Sequence, residues 1–233
     1  MATKDVYSLI LVEKTEQLNV NQWVYQTLRQ SILCGEIRPG VALTIRGLAE
    51  KLDVSPMPVR EALQKLASEE AIEVKNNRRI SVPVISRDKF RELYSLRVLL
   101  ETHAAETALP FFAETQINEL AALDLAIDEE FEKGHAGAGT LANQAFHRYL
   151  YAQNPVQVCL PMIESLWLQL GPFVRIGLSK LDGYYQHDRH HEALDAIRQR
   201  DSVALRAAIE ADVRDGLHTI QDLDKIYQDL EIR

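Results

Sequence analysis

Two histidines and two short polar residues stand where a helical reading turns them inward. Asn143 and His147 are four residues apart and share one helical face, with Phe146 and Leu150 close by. His190 precedes Leu194 by four residues and Ile197 by seven, while Asp212 follows Leu205, Ala208 and Ile209 by seven, four and three. A polar group on a buried stripe needs a partner, because it loses its hydration and apolar neighbours do not replace it. Two imidazoles and one or two oxygens brought together from three helices can hold a divalent cation such as zinc, nickel or manganese, as in other bundle-core sites. The same residues can instead be separate core groups, each hydrogen-bonded locally. Spacing alone leaves both open. Arg97 poses a related question, since it follows Leu93 by four and precedes Leu100 by three and Ala104 by seven. It too points inward, and Glu101 one turn later is the partner at hand for a charge that would be costly to bury alone.

Helices must position these residues, and the chain from Ser86 onward supplies them. Ser86 is placed to cap a helix running to about Leu109, ahead of Pro110, and a second runs from Glu114 to about Lys133. A third spans Thr140 to Gln153. Asn154-Pro155 opens a fourth, which Gly171-Pro172 is expected to kink. His190 to Arg200 forms a fifth, and Asp201 caps a sixth reaching about Leu230. The stretch from Gly134 to Gly139 reads as a loop, without the preceding strand or the spacing of a phosphate-binding motif. With no strand signal, residues 85–233 are predicted to form an antiparallel six-helix bundle.

Residues 1–84 read differently. Val24, Leu28 and Ile32 recur every four residues up to Cys34-Gly35. Thr44 can cap a second helix carrying Ile45, Leu48, Ala49 and Leu52 on its buried stripe. After Asp53-Val54-Ser55-Pro56 a third stripe follows at Val59, Ala62, Leu63 and Leu66, with Pro58 near the first helical position and Arg60, Gln64 and Lys65 off the buried face. Ile72 and Val74, then Ile80, Val82 and Val84, alternate around Asn76-Asn77 as a hairpin, with Arg78 and Arg79 at its tip. Three helices with a sharp turn before the third, and a trailing hairpin, make a winged helix-turn-helix, which presents its third helix to the DNA major groove. Arg78 and Arg79 are candidates for phosphate or minor-groove contact.

Composition limits the alternatives. The chain has 233 residues, 46% of them hydrophobic, enough to bury the cores of one large or two modest domains. Its net charge of −8 is unevenly spread: residues 1–84 sum to +1 and the remainder to −9, which permits a DNA-binding head on an acidic body. The longest uncharged run, Tyr149 to Ile163, carries polar residues and two prolines and falls short of the about 20 apolar residues of a membrane span. Lys4, Asp5, Glu13, Lys14 and Glu16 interrupt any signal-peptide core, so a cytoplasmic location and no membrane partner are expected. Cys34 and Cys159 stand alone and indicate neither a disulfide framework nor a thiolate zinc site.

Two sets of residues carry a resemblance. Leu28 through Gly40, then Arg46-Gly47-Leu48-Ala49-Glu50 and Val54-Ser55-Pro56-Met57-Pro58-Val59-Arg60-Glu61-Ala62-Leu63, resemble the DNA-binding domain of the GntR family of bacterial transcription regulators. The resemblance implies that Arg46 and Arg60 face the operator. Pro56 stands where the family often has arginine, Met57 where it has a capping threonine, and Ala71 and Asn77 where glycines are common. Phe146-His147-Arg148-Tyr149-Leu150 with Asn154-Pro155, and His190 through Ile197 with Asp201, are similar to the all-helical effector domain (FCD type) of the FadR subfamily. Members bind a metal through an Asp four residues before a His and two later histidines. His147 and His190 match two of these, Asn143 takes the Asp position and Asp212 the last His position, with His187 as a substitute ligand. The resemblance also places an arginine like Arg97 near the effector pocket, as a second destination beside Glu101.

The expectation is therefore a homodimeric transcription regulator. Its winged helix-turn-helix binds a palindromic double-stranded operator, and its helical domain binds a divalent metal and a small organic acid, without catalysis. The alternative is a metal-dependent hydrolase in which His147, His190 and Asp212 hold a catalytic ion and its water.

Overall fold

The computed structural model describes residues 7–75, 79–178 and 189–218. The chain forms two compact units. The first holds the residues up to Phe90 together with a stretch of helix beginning at Trp167, and the second holds Arg91–Leu166 and the last two described helices.

In the first unit, α1 (Val20–Leu33) opens on a reciprocal cap. The Asn19 side chain accepts from the Gln22 N–H and the Gln22 side chain accepts from the Asn19 N–H. α2 (Ile45–Leu52) starts on Thr44, whose hydroxyl accepts from the Gly47 N–H at 3.0 Å, and stops at Asp53 in the left-handed region. α3 (Pro56–Ser68) follows within three residues. Val24, Leu28 and Ile32 of α1, Leu48 and Leu52 of α2, and Val59, Ala62, Leu63 and Leu66 of α3 are all buried, and α1 and α2 both pack on α3. The wing is an antiparallel sheet ordered β1 (Ala42–Leu43), β3 (Ile80–Ser81), β2 (Glu73–Val74), with Leu43 opposite Ile80 and Val74 opposite Ile80 on the other side. A Lys75 N–H to Arg79 C=O bond closes the hairpin.

The helical part comprises α4 (Arg87–Ala108), a 3₁₀ turn at Leu109–Phe111, α5 (Glu114–Glu132), α6 (Ala136–Ala152), α7 (Cys159–Leu178), α8 (Arg189–Gln199) and α9 (Ser202–His218). Among the described residues these are the six helices expected. In the second unit α5 packs on α6 and α8, and α8 on α9. Asp201 caps α9, accepting from the Val203 and Ala204 N–H groups.

Several local expectations are corrected. α3 begins at Pro56, and Ser55 occupies the capping position, so Met57 lies inside the first turn and Pro58 is its third residue, close to the start as expected. Both prolines are tolerated because N–H groups of the first turn have no intrahelical partner. α6 begins at Ala136 rather than Thr140, taking in most of the glycine stretch. A Cβ at Gly139 would fall 2.8 Å from the Phe131 ring, so packing against α5 rather than helix propensity holds that turn. α7 begins at Cys159, not at Asn154-Pro155. Pro172 lies inside it, as the expected kink at Gly171-Pro172 requires, and a Cβ at Gly171 would collide with the Leu33 carbonyl oxygen at 2.2 Å. β1 was not legible at all. The expected end of the sixth helix near Leu230 lies outside the described residues.

Candidate functional site

His147 on α6, His190 on α8 and Asp212 on α9 converge. Each offers one ligand atom, and these atoms lie within 4.8 Å of one another. His147 Nε2 is 3.1 Å from Asp212 Oδ2, and His190 Nε2 is 3.6 Å from Asp212 Oδ1. Phe146 fixes the ring planes: it stacks on His190 with centroids 4.2 Å apart and meets His147 edge-on at 5.4 Å. Both imidazoles are buried, as are Leu194 and Ile197 on α8 and Leu205 and Ile209 on α9. Burial pushes the Asp212 carboxyl up, yet protonated His147, through its hydrogen bond and charge, with the charges of protonated His190 and of Arg97, outweighs it and holds it at about 2. A carboxylate facing two imidazole nitrogens suits a divalent cation, since the donor set is mixed nitrogen and oxygen.

Behind the histidines lies a further layer of polar side chains. His147 Nδ1 is 3.1 Å from the Tyr151 hydroxyl, which donates to Glu101 Oε2 at 2.9 Å. Glu101 in turn accepts from Arg97 Nε through its other oxygen at 2.5 Å. On the other side His190 Nδ1 is 2.9 Å from Asp124 Oδ1. Burial and the Glu101 charge push the Tyr151 phenol well above its ordinary value, so it stays protonated and can serve as a donor. For Arg97 burial pulls the pKa down, but Glu101 more than offsets this and the guanidinium keeps its charge.

Asp124 and Tyr151 went unnoticed in the sequence, although a signal existed for each. Asp124 follows the buried Leu120 by four and precedes the buried Ile127 by three, and Tyr151 follows His147 by four. Arg97 points inward as expected, with its side chain 14% exposed, and the Glu101 partnership is present. Asn143 is half-buried on α6, one turn before His147. His191 faces outward, 3.5 Å from Asp195, and His187 lies outside the described residues.

In the first unit Arg46 sits exposed in the first turn of α2, and Arg60 exposed on α3 beside Glu61, which accepts from Asn21. Gln64 and Lys65 are exposed too, with the Lys65 ammonium 3.7 Å from the centre of the Tyr25 ring. Arg79 is exposed at the base of the hairpin; Arg78 lies outside the described residues, with Asn76 and Asn77.

Comparison with known proteins finds the same two parts. Residues 21–82 match the family model of bacterial regulatory proteins of the gntR family, and residues 92–215 that of the FCD domain. The chain is 26% identical over 196 residues to the HTH-type transcriptional regulator McbR of Escherichia coli, covering 83% of this chain and 89% of that one. It is 26% identical over 203 residues to the gluconate operon transcriptional repressor of Bacillus subtilis, covering 84% and 83%. The solved structure of E. coli McbR/YncC superposes with a TM-score of 0.78 at 25% identity, over 92% of this chain and 100% of that one. A GntR regulator from Rhodococcus shares the fold with a TM-score of 0.70 at 24% identity. All of these are regulators, so the hydrolase alternative finds no support. No helix among the described residues is long and apolar enough to cross a membrane. Head and helical part together place this chain in the GntR family of bacterial regulatory proteins, as a DNA-binding transcription regulator with an FCD effector domain and not an enzyme.

Proposed function

We propose that this regulator works in the cytoplasm as a homodimer on a palindromic operator and that a metal-assisted small organic acid controls it. The observation that carries the reading is the convergence of His147, His190 and Asp212 inside the FCD part of the chain. These three residues, with Asn143 one turn before His147, would hold a divalent ion such as zinc, nickel or manganese. A bound ion with few protein ligands supplies open positions for carboxylate oxygens. Arg97 would take the far side of the acid: its Nε is engaged by Glu101, and the rest of its planar fork matches a carboxylate. Residues 1–84 would act as the DNA-binding domain and 85–233 as the effector, metal and dimerisation domain; the two family matches end at 82 and resume at 92.

Arg46 and Arg60, with Arg79 at the wing, are the residues assigned to DNA, which fits their exposure. The homodimer draws support from an apolar groove on the second unit, lined by Leu96, Leu100, Pro161, Met162 and Leu166, with Leu99 exposed nearby. An effector would act by favouring a dimer geometry in which the recognition helices no longer match the half-site spacing. The test is retardation of the protein's own promoter DNA, with mass by light scattering, in the presence and absence of zinc and a panel of carboxylic acids. Specific retardation by a dimer, relieved by one acid, is expected; a monomer, or DNA binding indifferent to every acid with and without zinc, would remove the reading.

A further inference from the structure

The contacts behind the two histidines have a direction, set by how many protons each group owns. A phenol carries one hydrogen, and that of Tyr151 goes to Glu101 Oε2 at 2.9 Å. Toward His147 the hydroxyl can therefore only accept, so the hydrogen in the 3.1 Å contact sits on His147 Nδ1. Glu101 is kept as an acceptor by Arg97, which donates to its other oxygen. A carboxylate likewise only accepts, so in the 2.9 Å contact with Asp124 the hydrogen sits on His190 Nδ1. Each imidazole is thus left with Nε2 as its basic atom, and both Nε2 atoms face the oxygens of Asp212, at 3.1 and 3.6 Å.

We propose that Asp124, and Tyr151 backed by Glu101 and Arg97, are positioning residues that fix the tautomer and ring orientation of His190 and His147, so that both present the Nε2 lone pair to one point beside Asp212. The assignment uses two different devices. His190 leans directly on a carboxylate, and His147 on a neutral phenol whose own proton is pinned by an ion pair. The direction of the Nδ1 contacts is read without a metal; the consequence, two Nε2 lone pairs beside Asp212 ready for a cation, rests on the metal reading above. It also ties Arg97 to the site through three hydrogen bonds, independently of any effector.

The tautomers are directly readable. Full-length protein with nitrogen-15 histidine, stripped by chelator and held at a pH where imidazoles are neutral, is expected to show Nδ1–H on both His147 and His190. Asp124→Asn replaces the charged acceptor with a neutral amide that can turn either its oxygen or its nitrogen to Nδ1, so the hold on the Nδ1–H form weakens and an Nε2–H population should appear on His190, while His147 keeps its tautomer. Tyr151→Phe should disturb His147 and leave His190 alone. Zinc affinity, measured by competition with a chromogenic chelator, should fall about 10- to 100-fold in each variant. A merely structural role would lower the melting temperature without moving the ring-nitrogen shifts. Asp124 is on the rim of the cluster, its side chain 16% exposed, so Asp124→Asn should fold even if Tyr151→Phe does not. Nε2–H on either histidine of the wild type, or an Asp124→Asn variant with unchanged tautomer and zinc affinity, overturns the proposal. Wild-type protein with the expected tautomers that takes up no zinc upholds the positioning and removes the metal reading instead.

Discussion

The two units use charge in opposite ways. In the winged head the arginines assigned to DNA are on the surface, residues 1–84 are nearly neutral overall, and the polar contacts are caps such as Asn19 with Gln22 and Thr44 with Gly47 and part-exposed pairs such as Asn21 with Glu61 and Tyr25 with Glu69. In the helical unit the charges that matter are inside. Arg97, Glu101, Tyr151, His147, Asp212, His190 and Asp124 follow one another in hydrogen-bonding or ion-pair distance, joining α4, α6, α9, α8 and α5. A surface that must meet an external polyanion can leave its charges solvated at little cost. A pocket in an apolar bundle cannot, so each charge recruits a partner and the partners become a network. Damage in the head should accordingly stay local, and damage in the bundle should spread along the chain of contacts.

The largest effect is expected at Glu101, whose side chain is fully buried. Glu101→Ala leaves the Arg97 guanidinium charged and uncompensated and also frees the Tyr151 proton, so it should cost about 3–5 kcal/mol of stability. Urea unfolding followed by far-ultraviolet circular dichroism measures this. A loss below about 1 kcal/mol, the level of a surface ion pair, would mean the network is not energetically connected.

Next in size is the metal. Zinc at a hundredfold excess over its dissociation constant should add about 2.7 kcal/mol, seen as a higher melting temperature, because binding favours the folded state. His147→Ala should abolish the increment. Equal zinc responses in wild type and His147→Ala would place the ion elsewhere and sever the link between the buried cluster and metal binding.

How far the sequence showed these features depended on the range of the interactions. Caps and stripes act within one or two turns, so Thr44, the Val24-Leu28-Ile32 stripe and the inward placement of His147, His190 and Asp212 could all be read from spacing. Asp124 and His190 are 66 residues apart, and no local pattern pairs them. An acidic residue between Leu120 and Ile127 on a buried stripe was the available sign that something lay opposite. β1 had no sign at all: Ala42–Leu43 is a strand only because β3 pairs with it. The early start of α6 was hidden for a similar reason, since glycines disfavour a helix until Phe131 packs against one of them.

A smaller effect is expected on DNA. Arg60→Ala should weaken operator binding by about 1–3 kcal/mol and relax selectivity, with zinc response and unfolding unchanged, because Arg60 is exposed and outside the buried network. Anisotropy titrations at fixed salt with operator and scrambled duplexes distinguish a base-directed arginine from one that meets only phosphate. An equal loss on both duplexes would assign Arg60 to the backbone.

The smallest effect, and the closest test of locality, concerns the Thr44 cap. Its hydroxyl satisfies the Gly47 N–H, one of the donors left open at the start of α2, and Thr44→Ala should cost about 1 kcal/mol. Both tryptophans, Trp23 and Trp167, are buried in the first unit, so fluorescence-detected unfolding follows the unit that carries the cap. Arg46 lies two residues beyond Thr44 in that first turn, so a frayed start should also loosen its presentation and weaken operator binding slightly. Gly47→Ala offers an independent handle. A Cβ there would approach the Thr44 hydroxyl to 2.8 Å and displace the cap from the opposite side, despite the better helix propensity of alanine. If the cap controls this turn, the two variants should resemble each other in fluorescence midpoint and operator affinity, and neither should alter the zinc-induced rise in melting temperature. A changed zinc response in either variant would mean that a local perturbation of the head reaches the buried cluster, and the contrast between the two units would fail at that point.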